Sequence, residues 1–173
     1  MRLEVMDIET DDLDAKHIWL ICCKNVTTKK IVLFKNLTED KQEAARFKKY
    51  CEGVDKFIFH NGISFDVPVI NSLLGFTIEP SKIIDTLVIS RLYHYSILKG
   101  HSLDAWGRRL GLYKGKFTDF KSGLSDEMIE YGINDVEVTH RLFDNFKHIV
   151  FDDKWAKSLR LEHDIQIICQ GMK

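Results

Sequence analysis

Proline is nearly missing from this chain of 173 residues, which has two, and the four cysteines include no C-x-x-C pair. So few prolines exclude collagen-like and proline-rich disordered classes. Cys22, Cys23, Cys51 and Cys169 lack the spacing of a disulfide framework or zinc site, and they read as buried reduced thiols of a cytosolic protein. Charge of either sign is not in excess: 25 basic against 26 acidic residues leave a formal net charge of -1. No global positive field therefore advertises nucleic acid, and any such binding has to be local or metal-assisted. No apolar run approaches the roughly 18 residues of a membrane span, and the opening MRLEVMDIETDD turns acidic where a signal peptide needs an apolar region. The seven histidines form no H-E-x-x-H. His60, His94 and His101 are read with the rest as structural or surface residues. A phosphate-binding G-x-x-x-x-G-K-[ST] loop and a G-x-S-x-G elbow are both absent, which removes nucleoside triphosphatases and serine hydrolases.

What is present is globular composition, 45% hydrophobic and 11% aromatic, in a chain long enough for one domain with a real core. Leu3 to Ile8 is apolar at both parities, the pattern of a strand covered on both faces. HIWLICC (17–23) and KIVLF (30–34) follow as a hairpin, a helix starts near Thr38-Glu39-Asp40 and stops at Gly53, and KFIFH (56–60) is a fourth strand. A short helix after HNGISFD, a brief strand at 83–85, two helices over TLVISRLYHY and SLDAWGRRLG, a long helix from Ser125 to about His148 and a last one over roughly 154–169 complete the reading. Strands first, helices between and after, predict an α/β sheet with a leading antiparallel meander.

Asp7 and Glu9 stand at strand spacing, on the line begun by Leu3 and Val5. Two carboxylates leaving a buried strand side by side repel one another and are costly to desolvate, which a hard divalent cation would offset; alternatively the strand has ended and both are solvated. Asp66, in HNGISFD, sits just inside a helix start, where an acid also suits the macrodipole. Tyr131 and Asp135 stand four apart on the long helix, on the face continued by Val138, Leu142 and Phe146.

In order and spacing, D-I-E, then N-x-x-x-F-D, then Y-x-x-x-D resemble the three motifs of the DnaQ-like 3′→5′ exonucleases with tyrosine in the third motif. DIETDDLD, FHNGISFDVPVI, IDTLVISRL, SLDAWGRRLG and Asp119-Phe120-Lys121 extend the likeness to the proofreading domain of bacteriophage family A DNA polymerases. The resemblance implies a ribonuclease H-like fold with a five-stranded mixed sheet, and a two-metal exodeoxyribonuclease that frees nucleoside 5′-monophosphates. Asp7, Glu9, Asp66 and Asp135 would hold two Mg²⁺ ions, Mn²⁺ substituting, while Tyr131 orients the attacking water.

The resemblance also places Thr10 and Leu13 beside the terminal nucleotide, Leu13 as a wedge against the last base. Asn61 falls near the substrate strand, although Asn-Gly is an ordinary turn, and Phe65 stacks on a base or belongs to the core. Asp85 is a supporting carboxylate behind the ligands or an N-cap. Lys114, Lys116 and Lys121, interleaved with Tyr113, Phe117 and Phe120, form a patch able to track a single strand, or a solvated loop.

Residues 1–150 are thus expected to form the exonuclease domain and 151–173 a helix resembling the connector to an absent polymerase domain. The apolar side of that helix (Leu161, Ile165, Ile168) calls for cover. Expected partners are a single-stranded DNA 3′ end and a separate polymerase chain, with no membrane, in the cytoplasm of a phage-infected bacterial host. A ribonuclease D-like exoribonuclease and an inactive nucleic-acid- or polymerase-binding module are the alternatives.

Overall fold

Strand β1 (Leu3–Thr10) is almost wholly buried, as apolar residues at both parities require. It runs two residues further than the apolar pattern predicts, so that Glu9 and Thr10 belong to the strand. The computed structural model describes residues 1–112 and 115–172. In it β1 pairs antiparallel with β2 (Ile18–Asn25), and β2 with β3 (Ile31–Lys35), forming the expected meander. On its other side β1 lies parallel to β4 (Lys56–Phe59), and β4 parallel to β5 (Ile83–Asp85). The order is β3-β2-β1-β4-β5, the five-stranded mixed sheet that was expected.

A parallel pair needs a crossover, and α1 (Lys41–Glu52) carries the chain from the β3 edge to β4. Its N-cap is Asp40, whose side chain accepts the backbone N–H of Gln42 and Glu43. Helix α2 (Asp66–Leu74) ends at Gly75 in the left-handed conformation. A 3₁₀ turn at Pro80–Lys82, absent from the sequence reading, leads into β5. Then come α3 (Thr86–Tyr93), α4 (Leu103–Arg109) and α5 (Asp126–Val150), N-capped by Asp85, Ser102 and Ser125. Last is α6 (Asp153–Gly171).

Strand parity divides the core in two. Met6, Ile8 and Ile21 pack with Phe34, Phe47, Phe57 and Ile70 on the α1 and α2 side. Leu3, Val5, Leu20 and Cys22 pack with Trp106, Val136, Leu142 and Phe146 on the α4 and α5 side. Asp7 and Glu9 share the parity of Leu3 and Val5, so the strand delivers both acids to the α5 face.

Two features depart from expectation. Cys169 is exposed, unlike Cys22, Cys23 and Cys51, because α6 buries only part of its girth. Leu159 and Trp155 join the core while Leu161, Ile165 and Ile168 face outward. Glu4, inside the first apolar run, is fully buried and accepts from Arg2 Nε at 2.9 Å, Asn25 Nδ2 at 2.7 Å and the Tyr50 hydroxyl at 2.8 Å. Among the described residues, no helix is long and apolar enough to cross a membrane.

Candidate active site

The C-terminal end of β1 and the middle of α5 bring three carboxylates together. One oxygen each from Asp7, Glu9 and Asp135 lies within 4.8 Å of the others, with Glu9 and Asp135 buried and Asp7 partly so. Gly132 lets the helix come this close. A Cβ at that position would stand 3.0 Å from Cys22 Sγ, 3.1 Å from Leu20 Cδ2 and 3.5 Å from Glu9 Oε1. The glycine stands inside the YGIND motif, yet only the closeness of α5 to β1 and β2 gives it a reason.

Three acids in so small a volume leave a strong negative field. The Cys22 thiol, opposite Asp7 across the β1–β2 ladder, has its pKa pushed well up, first by burial and then by Asp7, Glu9 and Asp135. Hard oxygen donors converging in a partly desolvated site suit a hard divalent cation, whose charge offsets their repulsion. The residues present fit such an ion.

Asp66 lies outside this set of three. It is buried at the start of α2, and its pKa is raised to about 7, chiefly by burial, with Asp85 and Asp135 adding like charge. Backbone hydrogen bonds from Asp66 itself and Ile8 act the other way. Asp85 has a definite architectural role. Its carboxylate accepts from Leu87 N at the start of α3 and also from Asn61 N at 2.9 Å and Ile63 N at 3.1 Å. It thereby pins the turn in which Asn61 adopts a φ of 70° and from which Asp66 emerges.

Tyr131, one turn of α5 before Asp135, faces a cleft of about 670 Å³ together with Asp7, Glu9 and Asp135. Thr10, Leu13, Phe65, Phe120 and Lys121 line the same cleft. Leu13 is 86% exposed at its mouth, and Phe65 both lines the cleft and packs against the α1 and α2 core. Thr10 Oγ1 donates to the Asp12 carbonyl at 3.0 Å and holds the turn that carries Leu13. Lys121 pairs with Asp12 at 3.3 Å.

The rings of Phe117 and Phe120 pack on Tyr131, with centroids at 5.9 and 6.1 Å. Lys116 does not reach the cleft, and Tyr113 and Lys114 lie outside the described residues. Asn61 lines a second cavity, which shares Asp7 and Asp135 with the cleft. Sequence reasoning missed Trp19, whose indole donates to the Phe120 carbonyl from 101 residues away; no local pattern signals such a contact.

Fold and site find their counterparts among known proteins. The RNase_H_2 model, of the RNase_H superfamily, matches residues 5–147, and the chain belongs to that superfamily. The chain is similar to the DNA-directed DNA polymerase of Escherichia phage T7, 30% identical over 162 residues that make up 23% of the phage protein. That of Enterobacteria phage T3 is 33% identical over 155 residues, 22% of its length. The chain thus spans less than a quarter of the length of these curated relatives. A solved structure of Brucella melitensis NrnC superposes with a TM-score of 0.74 at 18% identity, over 98% of this chain and 84% of that one. NrnC structures bound to pGG and to Mg²⁺ share the fold, with TM-scores of 0.72 and 0.70 at 18% identity, over 98% of this chain and 83% and 84% of theirs. The ribonuclease H-like architecture and the resemblance to DnaQ-like exonucleases are both borne out.

Proposed function

We propose that this chain is a metal-dependent 3′→5′ exonuclease that shortens single-stranded DNA ends to nucleoside 5′-monophosphates. The observation that carries the proposal is the meeting of Asp7, Glu9 and Asp135 beneath Tyr131 in one cleft. Asp7, Glu9 and Asp135 hold divalent ions, Mg²⁺ with Mn²⁺ as substitute, and Asp66 supports the site from α2. Two such ions, when bound, supply charge that activates a water and stabilises the leaving 3′ oxygen.

The chain's own residues bind and orient. Tyr131 directs the attacking water through its hydroxyl, a role that needs no ionised phenol. Leu13 and Phe65 flank the terminal base, Leu13 keeping it unpaired, while Thr10 fixes the turn beneath it. Burial of Glu9 and Asp135 keeps bulk water from competing for the carboxylates. Asp85 positions Asp66 by holding the 61–63 turn.

The phage polymerases favour DNA as substrate, and NrnC bound to pGG is the ground for a second reading as an exoribonuclease of short strands. Helix α6 (Asp153–Gly171) is assigned as leading toward a polymerase domain or a polymerase chain, and the host-cell cytoplasm as the site of action. The test is to incubate matched 5′-labelled DNA and RNA hexamers with the protein and Mg²⁺. Stepwise shortening of DNA, abolished by EDTA and by Asp7→Ala, is expected; binding without shortening would overturn the enzyme reading.

A further inference from the structure

Asp7 and Asp135 line two cavities: the main cleft, and a second of about 460 Å³ with His60, Asn61, Leu87, Arg91 and His101 in its walls. We infer that the second cavity receives the upstream part of the nucleic-acid strand, with Arg91 and His101 as its phosphodiester contacts. This rests on the nuclease reading above. A phosphodiester held at Asp7 and Asp135 has chain on both sides, and the two cavities differ in which side they suit.

Charge decides the direction. Around the main cleft stand Asp11, Asp12 and Asp119, with Lys121 as the one cation among its lining residues, already paired with Asp12. Successive phosphates running out that way would meet like charge, whereas a terminal nucleoside brings no further phosphate. The second cavity carries Arg91, exposed and in no ion pair among the described residues, beside His60 and His101.

The hydrogen-bond network allows His101 to serve as a donor. The Trp106 indole, which can only donate, gives its N–H to Ser90 Oγ at 2.9 Å, and Ser90 Oγ stands 2.7 Å from His101 Nδ1. Ser90 Oγ accepts from the indole and keeps its own hydrogen available for Nδ1. In the tautomer that accepts from Ser90 at Nδ1, neutral His101 carries its proton on Nε2, the ring edge away from Ser90. Phosphate oxygens only accept, so this edge matches them. Arg91 and Arg109, after burial itself, lower the pKa of His101, so the ring acts as a neutral donor beside the cationic Arg91.

The test uses the whole chain, single-stranded dT6 as substrate and dTMP as competing product. Arg91→Ala and His101→Leu are each expected to raise KM for dT6 roughly 10-fold, the scale of a lost charge-assisted or buried donor contact. Inhibition by dTMP, which needs only the main cleft, stays unchanged, as does the thermal midpoint. Arg91→Ala also flattens the dependence of log KM on log salt by about 0.7, one phosphate's worth on a single strand. His101→Gln, which keeps a donor, recovers part of the loss. If wild type digests dT6 and neither substitution changes KM or the salt slope, the subsite assignment falls while the nuclease reading stands. If wild type binds dT6 through Arg91 without shortening it, the subsite holds and the nuclease reading falls. If wild type neither binds nor shortens dT6, both fall.

Discussion

The indole nitrogen of Trp19 donates to the carbonyl oxygen of Phe120 at 3.0 Å, tying β2 to the segment that carries two aromatic rings onto Tyr131. Trp19 itself stacks on His17 with planes 3° apart, so the donor is held rigidly. Trp19→Phe keeps the ring and removes the donor. We expect a several-fold lower kcat with little change in thermal midpoint, and faster proteolytic nicking near Phe120. Unchanged kcat and unchanged cleavage would show that Tyr131 needs no such support.

The five acids between Asp7 and Asp14 divide by geometry. Asp7→Asn and Glu9→Gln should each lower the exonuclease rate by at least about 100-fold, the scale of losing one preorganised electrostatic contact. Asp11 instead accepts the backbone N–H of Lys16 and His17, both at 2.9 Å, and helps shape the turn. Asp11→Asn and Asp14→Asn should stay within a factor of about two, as surface changes do. Rates on a labelled hexamer at saturating Mg²⁺ measure the contrast.

Gly132→Val tests the close approach of α5. The added carbons would press on Cys22 Sγ and Leu20 Cδ2, both in the packed core, costing roughly 1–3 kcal/mol as overpacking does. Urea unfolding reads the loss. Combining Gly132→Ala with Cys22→Ala, which clears the sulfur, should destabilise less than the sum of the two single changes.

Glu4→Ala should cost about 3 kcal/mol in urea unfolding, because Arg2, Asn25 and the Tyr50 hydroxyl lose their common acceptor. Glu4 lies at the opposite end of β1 from Asp7 and Glu9, so kcat should hold at temperatures where the variant stays folded. A fall in kcat matching that of Asp7→Asn would refute the separation.

His140 supplies a pH dependence of stability. Burial first, then the charges of Lys24 and Lys29, lower its pKa from 6.5 to about 4, with Asp144 and Glu137 opposing. Its Nε2 is 2.7 Å from Lys29 Nζ, and a neutral ring accepts there. Because the folded pKa lies below the unfolded one, the unfolded chain binds the proton first, and stability falls as pH drops from about 6.5 toward 4. Roughly 2 kcal/mol should be lost by pH 5. His140→Gln should flatten that slope in chemical denaturation at pH 7 and pH 5.

Much of the site was legible because its residues obey local periodicities. Strand spacing set Asp7 and Glu9 on the face of Leu3 and Val5, and helix spacing set Asp135 with Val138 and Leu142, which places all three where β1 meets α5. Asp66 was less legible. Its position behind the set of three depends on the Asn61 turn and on the Asp85 carboxylate that holds it, a contact across 24 residues. Glu4 was hidden because one charge inside an apolar run carries no signal until its three partners, two of them far along the chain, are placed around it.

By itself the sequence determined the strands and helices, the meander, and the parity that turns two acids toward one layer, since each follows from side-chain direction within a few residues. Only the tertiary structure decided how near α5 comes to β1, through the missing side chain of Gly132. It alone decided that Trp19 supports the segment over Tyr131, and that Arg91 and His101 line a second cavity that also touches Asp7 and Asp135. Those relationships join residues distant in the chain, and packing fixes them where local pattern cannot.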